Sequence, residues 1–189
     1  MLTVYLDFKS PAAYLALNPT LSLIDRLGLE ANWKSFRTVE RDVPKLGKEE
    51  TVGESHRRVR AASQRALAIT YAKHQGIELK FPEKLGASDL ALGALTAISG
   101  DPLAFIRAAF EAYWQDHADL DDPQVVERLI QTSGAELTVD LSQCRDLLET
   151  ALDQAEEAGI VGAPAYVIAE QIFVGREHLP WIGEIAAAL

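Results

Sequence analysis

Ser10 is the residue around which chemistry can be organised. It follows an apolar, β-branched run at residues 2–8 (LTVYLDF) and stands directly before Pro11. Serine followed by proline reads as a helix N-cap with proline at the first helical position, where its missing N–H costs nothing. The free N–H groups and the dipole of a helix N-terminus favour an anion, typically by ~0.3–1 kcal/mol and occasionally ~2. A bound thiolate is one such anion. Lowering a thiol pKa by about two units from ~8.5 takes roughly 2.7 kcal/mol, more than a usual dipole contribution. The Ser10 hydroxyl can supply the rest as a charge-assisted hydrogen bond. Taken alone the pair is a weak signal, because a plain helix cap looks the same.

A second element strengthens it. Gly162-Ala163-Pro164-Ala165 precedes a strand-like run, and a cis proline there leaves a backbone edge open to an extended ligand. His56, Arg57, Arg58, Arg60 and Arg65 form a basic cluster able to receive an acidic ligand, although a solvated helix face is the commoner reading. Asp7 lies beside the Ser10 turn and reads either as a proton-biasing group or as a structural partner. His74, His117 and His178 lack metal-ligand spacing, so no metal site is expected. The single cysteine, Cys144, falls in an amphipathic helix and reads as packing rather than as a reactive thiol. It excludes an internal disulfide and a two-thiol redox centre within one chain. Trp33, Trp114 and Trp181 read as core or interface anchors.

The elements that must position these residues follow from periodicity and punctuation. Residues 2–8 are a strand, residues from Pro11 to a stop at Gly28 an amphipathic helix, and 30–36 a second strand, giving β-α-β with a parallel pair. Residues 38–55 are polar and interrupted by Pro44, Gly47 and Gly53, which predicts a loop. Helices are predicted over 56–75, after Ser88, after Asp101-Pro102 and after Asp122-Pro123. A further helix spans 140–158, with Asp140 and Gln143 at capping-box spacing, followed by a hairpin of 165–169 and 172–174 and a last helix over 179–189.

The chain has 189 residues, 48% hydrophobic and 24% charged, enough to bury a core in one domain or one domain with a large insertion. A net charge of −10 argues against nucleic-acid binding. No apolar run reaches the ~20 residues of a membrane span, and the N-terminus opens into strand-like sequence rather than a signal core, so a cytoplasmic location without membrane partners is expected.

Asp7-Phe8-Lys9-Ser10-Pro11-Ala12-Ala13-Tyr14-Leu15-Ala16 resembles the DFxSPxxYLA opening of 2-hydroxychromene-2-carboxylate isomerases and kappa-class glutathione transferases, in the DsbA-like branch of the thioredoxin fold. Residues 105–126 resemble that family's inserted helical block, 159–164 its GVxGxP run with a cis proline, and 174–179 its FGxDRL run. The resemblance implies an α/β fold: a thioredoxin-like sheet (β-α-β … α-β-β-α) of residues 1–37 and 135–189, with a large all-helical insertion of residues 38–134. It implies glutathione as cofactor, with Ser10 as the catalytic residue that hydrogen-bonds its thiolate. Ser10, Pro11, Arg60, Ala163, Pro164, Arg176 and Glu177 are the cofactor-binding positions that it maps. Arg176 stands where relatives carry a small hydroxyl residue, Glu177 where they carry aspartate, and Arg60 loosely where they carry lysine. The helical block is expected to wall an apolar pocket over the active turn, and a homodimer is expected because relatives are dimers.

The activity so implied is a glutathione-dependent isomerase or transferase acting on small conjugated or aromatic substrates. The alternative is a redox-inactive thioredoxin-like module that binds a peptide or ligand without chemistry. A dithiol oxidoreductase ranks last, since the active turn has no sulfur.

Overall fold

A computed structural model describes residues 1–39, 51–83 and 86–189. Part of the polar stretch at 38–55 predicted as a loop therefore lies outside the described residues. The chain divides into two compact units, one of Met1–Thr38 with Lys80–Leu189 and one of Val39–Leu79.

The first unit is built on β1 (Leu2–Leu6), α1 (Pro11–Leu27) and β2 (Ala31–Ser35). β1 and β2 pair in parallel with Leu2 opposite Ala31 and Leu6 opposite Ser35, the register a crossover helix permits. β5 (Ala165–Ile168) runs antiparallel to β1, and β6 (Gln171–Val174) closes a hairpin on β5, for a sheet order β2-β1-β5-β6. The hairpin turn places Ala169 and Glu170 at φ 47° and 63°. Those are the positive angles a two-residue turn between twisted strands needs, reached here without glycine. Leu2, Val4, Tyr166, Ile168 and Phe173 meet Leu23 of α1 and Leu179 and Ile182 of α7 (Leu179–Ala187) in one core cluster.

Helices α3 (Asp89–Ala97), α4 (Leu103–Trp114) and α5 (Pro123–Ser133) belong to this same unit, as does α6 (Cys144–Glu157). The compact units therefore divide at Val39 and Leu79, not at the edges of the whole 38–134 block. The reason is burial. α3 hides Leu90, Ala91, Leu92, Ala94 and Leu95, and it is tied to the sheet by Ser35 Oγ, which donates to the Leu92 carbonyl at 2.6 Å. α3 also crosses α6 where Gly93 leaves room only for main chain: a Cβ there would fall on the carbonyl of Cys144. Two-residue strands β3 (Ile98–Ser99) and β4 (Glu136–Leu137), absent from the sequence-based expectation, pair antiparallel beyond the ends of α3 and α5.

The second unit holds α2 (Val52–Gln75). It starts at a capping box in which Thr51 accepts from Glu54 N and Glu54 accepts from Thr51 N. The helix thus begins four residues before the predicted 56.

Candidate active site

The site is assembled where α1 begins. Ser10 takes an extended conformation (φ −83°, ψ 112°), and its Oγ accepts from Ala13 N at 3.2 Å, the N-cap bond expected of serine before Pro11. Pro11 has no N–H and that of Ala13 is taken, which leaves the N–H of Ala12, an exposed residue, as the remaining donor of the first three helical positions. The same Ser10 Oγ donates across the sequence to the Ala163 carbonyl at 3.1 Å, and the Ala163–Pro164 bond is cis. Ser10 is buried, with 8% of its surface exposed.

Asp7 fixes the turn from behind. It is buried, with Oδ1 accepting from Lys9 N at 3.0 Å and Oδ2 from Thr38 N at 2.9 Å. Burial pushes its carboxyl above the ordinary aspartate range, opposed by those two N–H donors and the Lys9 charge. Helix α4 packs over the turn: Trp114 Nε1 donates to the Phe8 carbonyl at 2.9 Å, Phe105 and Phe110 meet Phe8 edge-on, and Phe110 stacks on Tyr14 at 5.2 Å. Rings of α4 thus pack against the turn, while the expected apolar pocket beside it is not among the described features. A cavity of about 330 Å³ lies elsewhere, along the outer edge of β2 between Thr96 and Gln154.

The other sequence-mapped positions separate. Gly175 N donates to the Pro164 carbonyl at 2.9 Å, so the residues after β6 lie beside the cis-proline segment. Gly175 has φ 103°, and its missing side chain leaves the space that the Glu177 carboxylate fills. Glu177 is thereby held next to the cis-proline strand pair. Arg176 reaches α1 instead, where its Nη1 donates to the Leu15 carbonyl at 3.4 Å. Arg60 is an exposed residue of α2, in the second unit. Cys144 is fully buried at the start of α6 and burial raises its thiol pKa, which disfavours the reactive thiolate. Among the described residues no cluster of His, Cys, Asp or Glu suited to a metal comes together, and no helix is long and apolar enough to cross a membrane.

Residues 1–184 match the family model of the DsbA-like thioredoxin domain. The chain belongs to that family. A curated relative, a 2-hydroxychromene-2-carboxylate isomerase from Sphingobium xenophagum, is 26% identical over 186 residues, covering 94% of this chain and 93% of its own. Among solved structures, a 2-hydroxychromene-2-carboxylate isomerase superposes with TM-score 0.73 at 18% identity, covering 99% of this chain and 94% of its own. The cytosolic disulfide reductase DsbM from Pseudomonas aeruginosa with GSH gives TM-score 0.56 at 12% identity, with 99% and 96% covered. These structural likenesses carry the DsbA-like thioredoxin fold, which places Ser10 at the N-terminus of the fold's first helix and Pro164 at the entry to β5. Sequence reasoning expected the helical block over the turn without naming its rings, and it passed over the tie from Arg176 to α1. That tie had a visible signal in Pro19, inside α1.

Proposed function

We propose that the chain is a glutathione-dependent isomerase or transferase of small conjugated or aromatic substrates, resembling 2-hydroxychromene-2-carboxylate isomerase, with Ser10 stabilising the glutathione thiolate. The observation that carries this reading is the Ser10 hydroxyl set between a helix N-terminus and the Ala163 carbonyl. The residues present fit such a thiol. The Ser10 hydroxyl and Ala12 N–H are donors for an anionic sulfur, the Ala163 carbonyl is an acceptor for a peptide N–H, and Glu177 is a carboxylate for an ammonium group. When bound, glutathione supplies a thiolate that adds reversibly to a conjugated carbon. Ser10 holds the sulfur anionic at neutral pH, and the first-turn N–H and helix dipole add to that hold. The buried, poorly reactive Cys144 argues against dithiol chemistry.

We assign a small-molecule substrate, a cytoplasmic location and a homodimeric state as parts of the same reading. Exposed Val59, Leu67 and Ile69 on α2 offer uncovered apolar surface for the dimer, which sedimentation checks.

Calorimetric titration with reduced glutathione tests the central claim. We expect millimolar or tighter binding, and in Ser10→Ala a bound-thiol pKa raised by about 1–2 units, the equivalent of one hydrogen bond to a charged group. Binding without turnover of any conjugated substrate would instead favour the non-catalytic ligand-binding module. Undiminished thiolate formation in Ser10→Ala would remove Ser10 from the mechanism.

A further inference from the structure

Helix α1 runs unbroken from Pro11 to Leu27 with Pro19 in its interior. A proline there removes the N–H that the carbonyl four residues back would accept. That carbonyl belongs to Leu15, a buried residue, where an unmade main-chain bond is costly. Arg176 Nη1 donates to it at 3.4 Å. The Arg176 charge also acts on the hydroxyl that pairs with the residue after the proline: Thr20 Oγ1 and the Tyr166 hydroxyl are bonded at 2.9 Å.

This contact completes a ring around the site. Ser10 Oγ reaches Ala163, Pro164 receives Gly175 N, Arg176 follows Gly175, and Arg176 returns to Leu15, five residues along α1 from Ser10. At about 1.5 Å per residue the two anchor points on α1 lie ~7.5 Å apart along its axis. One tether fixes the position of the helix N-terminus and the second fixes its tilt.

We propose that Arg176 is a positioning residue that substitutes for the N–H lost at Pro19 and, by holding Leu15, aims the first turn of α1 so that Ser10 faces Ala163. The proposal rests on the Ser10 site described above and makes Arg176 a partner of the protein's own main chain rather than of a ligand carboxylate. The position where the family resemblance calls for a small hydroxyl-bearing ligand contact is here committed to the helix.

The test is a double-mutant cycle in the full chain, with Arg176→Met, Pro19→Ala and the pair together, and Arg176→Lys as the conservative variant. Pro19→Ala restores an N–H to the Leu15 carbonyl. With Pro19 present, Arg176→Met should lower Tm by about 2–4 °C and weaken glutathione binding by about three- to tenfold. In the Pro19→Ala background both losses should fall to less than half, and Arg176→Lys should recover part of each.

An equal loss of glutathione affinity in the two backgrounds would overturn the proposal, because it would mean that Arg176 meets the ligand itself. A rescued Tm with affinity unchanged throughout would also overturn it, leaving a purely structural contact. If Arg176→Met fails to fold alone, recovery of folding in the double variant supports the proposal and continued failure refutes it. If the wild-type protein binds no glutathione, the functional reading fails on its own, and the decision on Arg176 passes to hydrogen exchange at the α1 amides. Protection lost in Arg176→Met and regained when Pro19→Ala is added supports the tether; protection unaffected by Arg176→Met refutes it.

Discussion

Helices α1 and α2 are begun and ended by the same kinds of local signal yet are held in different ways. Ser10 caps one and Thr51 the other, and glycine in the left-handed conformation stops both, at Gly28 and Gly76. α1, with 17 residues, buries seven of them, including Tyr14, Leu15 and Leu23. α2, with 24, buries only Ala68 and Ala72. Capping builds a helix, but burial and long-range bonds decide where its side chains stand. Ser10 therefore has a fixed partner in Ala163, while Arg60 stands on an exposed face of α2.

The contrast can be broken by making one substitution in each unit. Gly93→Ala in α3 drives a methyl group into the Cys144 carbonyl, a main-chain atom that cannot rotate away. We expect a loss of about 3 kcal/mol or more in urea unfolding. A loss below about 1 kcal/mol would show that α3 and α6 can slide apart. Gly53→Ala in α2 meets only the end of a flexible side chain, Arg57 Nη1 at 3.7 Å. There the same change should stabilise by about 0.4–1 kcal/mol through the lost freedom of the unfolded chain, and a destabilisation would mean that α2 is packed more tightly than its exposure indicates.

A pH effect is expected in the sheet-bearing unit, where Asp7 lies. Burial raises the Asp7 carboxyl pKa, so the folded state holds that proton more firmly than the unfolded chain. The resulting stability is fully present below the ordinary aspartate pKa of ~3.9 and is lost as the pH rises through the folded value. The stability of wild type relative to Asp7→Asn should therefore increase as pH falls from neutral into the acid range. A difference that stays flat with pH would show that Asp7 ionises as freely folded as unfolded.

What was legible in the sequence was local. Ser10-Pro11, Asp122-Pro123 and the Asp140/Gln143 pair are punctuation that works within four residues, and each appears in the structure as a cap. The start of α2 was missed although Thr51 and Glu54 have capping-box spacing, because the polar, glycine-interrupted stretch around them lacks an apolar stripe. Strands β3 and β4 are two residues each, too short for alternation to be seen. Composition treats all helices alike and so does not distinguish α3 and α4, buried against the sheet and the Ser10 turn, from α2, which hides only two alanines. Arg176 read as a ligand contact because its partner, a carbonyl whose helical donor Pro19 removes, comes within reach only once the chain has folded.

The Ser10 hydroxyl has a single proton, and in the folded chain it already points at Ala163 while its lone pair serves Ala13. A thiolate bound as proposed would take that proton away from the carbonyl and leave Ala163 without a donor unless the ligand brings one. A thiol that also carries an amide N–H can satisfy both ends, exchanging one internal hydrogen bond for two intermolecular ones. A simple alkyl thiol cannot, and bears the cost of an unpaired carbonyl, about 1–3 kcal/mol when water is excluded. On the proposed function, Ser10 and Ala163 would together favour thiols embedded in a peptide, through a count of donors rather than the shape of a cavity.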